Sequence, residues 1–284
     1  MNIKDNRKIS FALVGIVYLL ASALGIVVYL MLPFDMWLNL LIADVLSTVF
    51  TFIFSLVFSN ASVYDPYWSV QPIVITVAFA IFEEMTLAKV LVLVAIILWG
   101  VRLTANWAYT FHGLSHQDWR YTMLHEKTKE FYPLINFLGI HLVPTLIVYG
   151  VTLPAVYVIQ SDAVGNVWCV LAFLLSVFAA CLQGVSDIQM HKFRKSGTHG
   201  FIRTGLWHYS RHPNYLGEIL MWWGVAFLSI AALGFRWYLP VGAFANTLLF
   251  LFVSIPMADK RQSRKPGFAE YKSETRMLLP IKRI

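Results

Sequence analysis

The sequence predicts an all-α fold, a polytopic bundle of transmembrane helices with seven or eight spans and both termini cytoplasmic. Of its 284 residues, 58% are hydrophobic and only 13% charged, against about 45–50% and about 25% in a typical soluble domain. The mean hydropathy of +0.66 leaves too few charged residues to cover a water-facing surface. The apolar residues are gathered in long runs, and roughly 20 such residues of helix cross a hydrocarbon core about 30 Å thick. A soluble globular enzyme, a disordered tail and a disulfide scaffold are excluded on these grounds. Cys169 and Cys181 fall inside one apolar run and offer neither a disulfide framework nor a CxxC metal motif.

The run 11–32 follows Lys4, Arg7 and Lys8 and passes through Ala21-Ser22-Ala23, which imitates a secretory signal and its cleavage site. It continues to Leu32, too long for a signal's apolar core, and is expected as a retained helix. Runs 38–58, 87–111, 134–159, 167–185, 215–233 and 237–256 each have the length and apolarity of a span. The shorter run 70–82, broken near its start by Gln71 and Pro72, is either a tilted span or a buried re-entrant segment. No internal repeat, linker or pair of broken helices divides the chain, so residues 1–284 are expected as one integral membrane domain.

Lys and Arg number 22 against 15 Asp and Glu, a formal charge of +7. With eight spans and the N-terminus inside, every Lys and Arg except Lys89 and Arg236 falls on the inner side, Arg102 lying in the inner half of its helix. Asp35, Glu83, Glu84 and Asp162 fall outside. This is the positive-inside bias, so the basic charge calls for no nucleic acid. The expected setting is a bacterial inner (cell) membrane, with membrane lipids as neighbours.

Polar residues collect on that inner side. The loop 59–69 carries Tyr64, Asp65, Tyr67 and Trp68 and leads to Gln71. Its aromatics suit an interfacial belt, or the mouth of a substrate site in which Tyr64, Asp65 and Gln71 orient an apolar ligand. His112 and His116, like His208 and His212, stand four apart. Gly113 weakens a helix through the first pair and Pro213 biases His212 away from helical geometry, so no metal is expected. At mid-membrane Asp44, Asn106 and His141 form no obvious series, which argues against a transport pathway.

The richest stretch is 183–218. Gln183 and Asp187 precede the basic residues Lys192, Arg194 and Lys195, read as a loop, and Arg211-His212-Pro213-Asn214-Tyr215-Leu216-Gly217-Glu218 enters a span. Topology alone accounts for the lysines, and Asn214 reads as a helix cap. It does not account for Asp187 and Glu218, acids placed just inside membrane segments where ionisable groups are costly and usually functional. Such acids beside Arg194, Arg203 and Arg211 suit a ligand with phosphates at one end and hydrogen-bonding groups at the other. In the tail, Asp259-Lys260-Arg261 and Arg264-Lys265-Pro266-Gly267-Phe268-Ala269-Glu270-Tyr271 suggest a segment that lies on anionic lipid or folds back as a lid.

The stretch from Gly205 to Glu218, with Ser186-Asp187 and Arg194-Lys195 upstream and Phe268, Tyr271 and Leu279-Pro280 downstream, resembles the C-terminal signature of steroid 5-alpha-reductase-like membrane proteins. The likeness is closest to a bacterial branch, largely of unassigned function, that shares this domain, and it covers residues 180–284 best. It implies an NADPH-dependent reductase with its cofactor-binding half at 180–284. Gln183, Asp187, Arg194, Asn214 and Glu218 match cofactor positions, Arg102 matches a family arginine, and Arg211, His212 and Tyr215 belong to the same signature. The substrate end departs from the pattern. Gln71 keeps a family Gln, but Pro72 stands where a Glu contacts the substrate ketone, and Trp99 stands in for a tyrosine. Tyr64 or Asp65 is then left to supply the acid.

The implied activity is reduction of a C=C bond conjugated to a carbonyl in a lipophilic, steroid-like enone. Negative charge develops on the carbonyl oxygen as hydride reaches the β-carbon, and a donor aimed at that oxygen in a dry site stabilises it. No GxGxxG follows a strand, so the nucleotide is held without a Rossmann fold. Two other readings stand. One is an S-adenosylmethionine-dependent methyltransferase of the isoprenylcysteine carboxyl methyltransferase type, which shares the Arg-His-Pro-x-Tyr-x-Gly element. The other is a non-enzymatic lipid-binding or transport protein.

Overall fold

The computed structural model describes residues 3–280, and within them all extended regular structure is helical, apart from an isolated parallel bridge between Ser210 and Arg276. Helix α1 (Arg7–Met31) is capped by Asn6, whose side chain accepts from the amides of Lys8 and Ile9. It is followed by α2 (Met36–Val57), the short α3 (Tyr67–Ala80) and α4 (Leu87–Thr110). A helical stretch from Trp119 to Ile159 contains α5 (Trp119–Thr128), α6 (Tyr132–Ile135), a π-helical turn at Asn136–Leu142 and α7 (Val143–Ile159). Then come α8 (Val167–Lys195), α9 (Leu206–Tyr209) and α10 (Pro213–Leu233). The chain closes with α11 (Val241–Leu249), a second π turn at Phe250–Ser254, α12 (Ile255–Gln262) and α13 (Phe268–Glu274).

Among the described residues, seven helices are long and apolar enough to cross a membrane, so the chain is a polytopic helical membrane protein. The run 70–82 becomes α3. Its Ser69 bonds Thr104 at 2.7 Å, and Ala80 shares an apolar cluster with Ala88, so α3 runs antiparallel to α4 between the same two faces. Its 14 residues reach only about 21 Å at about 1.5 Å each. It is thus a short eighth traverse rather than a re-entrant loop, and Thr76 Oγ1 donates to the Pro72 carbonyl at 2.7 Å.

Eight traverses bring both ends of the described chain to one face. There Lys4 Nζ donates to Phe58 O, Asn60 donates to the carbonyls of Leu114 and His116, and Lys265 Nζ donates to Gly200 O. The opposite face carries Glu83 with Lys89 and Gln160. One sequence expectation fails here. Residues 186–195, read as a basic loop, are the last turns of α8. A hydropathy run marks only the part of a helix at hydrocarbon depth, whereas this helix continues into water and ends on Lys192, Arg194 and Lys195, cations that suit its C-terminus.

Small residues set how closely the helices approach, as expected where packing rather than hydrophobic exclusion joins helices in lipid. On α10, a Cβ added at Gly224 would lie 2.2 Å from Ser176 Oγ and 3.0 Å from Ala172 O on α8. A Cβ at Gly242 of α11 would lie 2.1 Å from the Gly150 carbonyl carbon of α7, backbone against backbone. Gly242→Ala is therefore expected to lower stability by about 1–3 kcal/mol, read as a lower midpoint of thermal unfolding in detergent. Gly15→Ala, where nothing lies within 4 Å, should leave that midpoint unchanged.

Candidate functional site

The acids singled out by the sequence lie on facing helices and are joined by hydrogen bonds. Asp187 and Gln183 are one turn apart on α8 and share a face. Arg102 of α4 reaches both, its Nη1 2.8 Å from Asp187 Oδ2 and its Nη2 2.5 Å from Gln183 Oε1. Gln183 Nε2 donates in turn to Glu218 Oε2 of α10 at 2.5 Å. Two indoles complete the carboxylate: Trp99 Nε1 donates to the same Oε2 at 2.9 Å and Trp222 Nε1 to Oε1 at 2.8 Å, their rings meeting edge to face. The line Asp187–Arg102–Gln183–Glu218 thus ties α4, α8 and α10, and with the Trp222 indole on Oε1 neither oxygen of Glu218 lacks a donor. Close contact makes this possible, since a Cβ at Gly217 would fall 2.6 Å from Gln183 Cγ.

A second cluster holds the entry of α10. His212 Nε2 and Arg211 Nη2 meet the two oxygens of Asp259 at 2.9 and 3.1 Å. Arg211 Nη1 also donates to Thr275 O at 2.5 Å, and the Tyr271 hydroxyl donates to Trp207 O. The tail therefore folds back over α9 and α10. Arg211, expected to be available to phosphate, is instead spent on Asp259 and tail carbonyls; an arginine buried to 7% takes the partners its own fold supplies. Asn214 is not the cap either. Pro213 opens α10 with His212 at the N-cap, and the Asn214 side-chain oxygen is buried without a partner. Tyr215 stacks on the His212 ring at 5.3 Å.

Arg194 lies exposed on the last turn of α8. It stands within electrostatic reach of Asp187, Arg261 and Lys265, and Arg261 also feels Asp118, Arg120 and Arg264. Among the described residues Arg194, Arg261, Arg264 and Lys265 make no ion pair with a carboxylate. Burial first, then the charges of Arg261 and Arg194, push the Lys265 amine below the usual lysine range. Cations without a carboxylate partner, crowded at one rim, favour an anionic ligand, and this donor set fits the phosphates of a cofactor, while the unpartnered Asn214 oxygen can accept only from a hydroxyl or N–H group.

The three residues expected at the substrate end do not converge. Tyr64 is fully buried, bonds Thr145 Oγ1 at 2.7 Å, and has its phenol raised well above the usual tyrosine value by burial. Gln71 faces the carboxyl of Asp44. Asp65 turns instead to α5, accepting from the Tyr121 hydroxyl at 2.6 Å. Three residues outside the expected set complete these clusters. Trp222, one turn past Glu218, was accessible from its i, i+4 spacing. Asp259 stands 47 positions from His212 and Tyr67 is placed by its bond to Asp44; sequence spacing points to neither.

The fold and these clusters define an integral membrane protein with buried, hydrogen-bonded acids beside a cationic rim. The chain belongs to DUF1295, a family described as proteins of unknown function, whose profile matches residues 51–275. It is 26% identical over 192 residues to the uncharacterized protein C594.04c of Schizosaccharomyces pombe, a match spanning 57% of this chain and 56% of that protein. No solved structure matches it.

Burial raises the Asp65 carboxyl to about 6, against the pull of nearby Arg120 and the Tyr121 hydroxyl. Between its ordinary value of 3.8 and about 6, the folded protein holds a proton that the unfolded chain has released. Stability therefore falls as pH rises through that window. Thermal melts across it should show this decline in the wild type and a flatter profile in Asp65→Asn.

Proposed function

We propose that the protein is an NADPH-dependent membrane reductase that saturates a C=C bond conjugated to a carbonyl in a lipophilic substrate, with its cationic rim facing the cytoplasm. The observation that carries this reading is the line Asp187–Arg102–Gln183–Glu218 running inward from a rim of unpaired cations. Supporting it is the resemblance of residues 180–284 to the steroid 5-alpha-reductase-like signature, three of whose cofactor positions, Gln183, Asp187 and Glu218, lie on that line.

Arg194, Arg261, Arg264 and Lys265 hold the phosphates, and Asn214 offers a hydrogen-bond acceptor to the same ligand. The cofactor, when bound, supplies a hydride. Arg102 is a positioning residue: gripped by Asp187, it fixes the Gln183 amide so that its nitrogen donates to Glu218. Glu218 in turn fixes the Trp99 and Trp222 indoles, which keep water from the reacting carbons. Among the residues of the substrate end, Tyr64 remains a neutral phenol across the physiological range, as a donor to a carbonyl oxygen must. A lipophilic substrate reaches the bundle from the bilayer, and the cofactor from water.

Purified protein should quench or shift NADPH fluorescence, and Asp187→Ala or Glu218→Ala should abolish the effect. Arg194→Ala should weaken NADPH binding about tenfold, the loss of one charge-assisted contact, with the remaining affinity falling as salt is added. NADPH oxidation across a panel of lipophilic enones then identifies the substrate class. Binding of S-adenosylmethionine with no response to NADPH would sink the reductase reading in favour of a methyltransferase.

A further inference from the structure

A cavity lies beside the end of the last membrane helix. That helix runs through α11, the second π turn and α12, from Val241 to Gln262, and is long enough to cross a bilayer. Its apolar run ends at Pro256, and Asp259-Lys260-Arg261 follow, so this last turn stands at the depth of lipid headgroups rather than of hydrocarbon. The cavity holds about 410 Å³, and Arg211, Asp259, Lys260, Ser263 and Lys272 border it, with Pro256 at its membrane end. A volume of that order is ample for a small ligand group.

Positive charge is in excess around it. Arg211, Lys260 and Lys272 meet one acid, Asp259, and that acid is already shared. Arg211 Nη2 and His212 Nε2 hold its two oxygens, and Lys272 Nζ stands 3.7 Å from Oδ2. Lys260 makes no ion pair among the described residues. Arg211, only 7% exposed, keeps an Nε with no hydrogen-bond partner. An arginine with two lysines around one cavity suits a phosphate group.

The cavity is separate from the rim assigned to the cofactor. Pro256, Asp259, Lys260 and Ser263 share one side of α12 at helical spacing. Arg261 turns away from them, its guanidinium 4.2 Å from the centre of the Trp119 ring and within reach of Arg194. Towards the membrane, the same helix presents a large apolar side chain about once per turn. Phe244, Leu248 and Phe252 are 55%, 37% and 73% exposed, and the next position in the series is Pro256, at the cavity. Exposed apolar side chains at hydrocarbon depth meet acyl chains.

The geometry points to a binding site for one anionic phospholipid, its phosphate held by Lys260, Lys272 and Arg211 and an acyl chain lying along Phe252, Leu248 and Phe244. Basic pockets at the membrane surface hold such headgroups. The apolar track that leads to the cavity selects a lipid over a free anion, which would leave the track unused. The surplus of cations selects an anionic headgroup over a zwitterionic one, whose own ammonium would add to the positive charge. The three cations come from three segments: α12, the entry of α10 and the returning tail. A lipid that bridges them binds only when the tail is docked, and so stabilises that arrangement by mass action.

The test places the full chain in vesicles of phosphatidylcholine, alone or mixed in equal parts with phosphatidylglycerol, and reads the midpoint of thermal unfolding in each. Phosphatidylglycerol should raise the midpoint by about 2–4 °C. Lys260→Gln and Lys272→Gln should each lose most of that rise, and Lys260→Arg should keep it. Lys127→Gln, which removes an exposed charge of α5 outside the cavity, should keep it too. The reading is a difference between two bilayers, so a variant that is itself less stable still reports. No rise in the wild type, or an equal loss in Lys127→Gln, overturns the proposal. So does a rise of the same size when inorganic phosphate is added to phosphatidylcholine vesicles, which would make this a free-anion site. A rise produced there by NADPH and lost in Lys260→Gln would give the cavity to the cofactor, and likewise overturns it.

Discussion

Inside a bilayer a polar group must find its partner within the protein, and this constraint organises the whole bundle. The chain meets it by pooling its polar residues into enclosed clusters rather than scattering them. Glu218 is held by Gln183 and two indoles, and Asp259 by Arg211 and His212. Asp44 accepts from the Tyr67 hydroxyl and faces Gln71. Each cluster ties helices distant in sequence, so the interactions that satisfy polar groups also fix helix order. Removing one member leaves its neighbours buried and unpaired, which costs more than the lost bond itself.

The close helix approaches serve the same end. Gly217 lets α10 come near enough to α8 for a glutamine amide to meet a glutamate. Gly242 brings the α11 backbone onto that of α7. In lipid, where apolar exclusion does little to press helices together, such contacts and the hydrogen bonds they permit define the packing.

Fold class and the long membrane-spanning helices were legible in the sequence because apolar runs of the right length have few other uses. The helical end of α8 was not, since Asp187, His191 and Arg194 lie past the apolar run that hydropathy detects. The site was legible in part. Asp187 and Glu218 stood out as acids in costly positions, and the structure joins them through Arg102 and Gln183. The partners of Arg211 were out of reach because they come from the returning tail, tens of residues away. Asp65 was grouped with Tyr64 by adjacency, yet successive residues in a tight turn point to different neighbours, here Tyr121 and Thr145.

The π turn at Asn136–Leu142 works as a phase adjuster. A residue in a regular α-helix advances by about 100° around the axis, and a π turn holds extra residue within its loop. Deleting one residue there would let the helix continue with ordinary spacing, yet would rotate α7 by roughly that angle relative to α6. Thr145 would leave Tyr64 and Thr48, and an apolar neighbour would take its place. Length in this short stretch is thus as constrained as residue identity, and insertions or deletions are better tolerated in the turns of the opposite face.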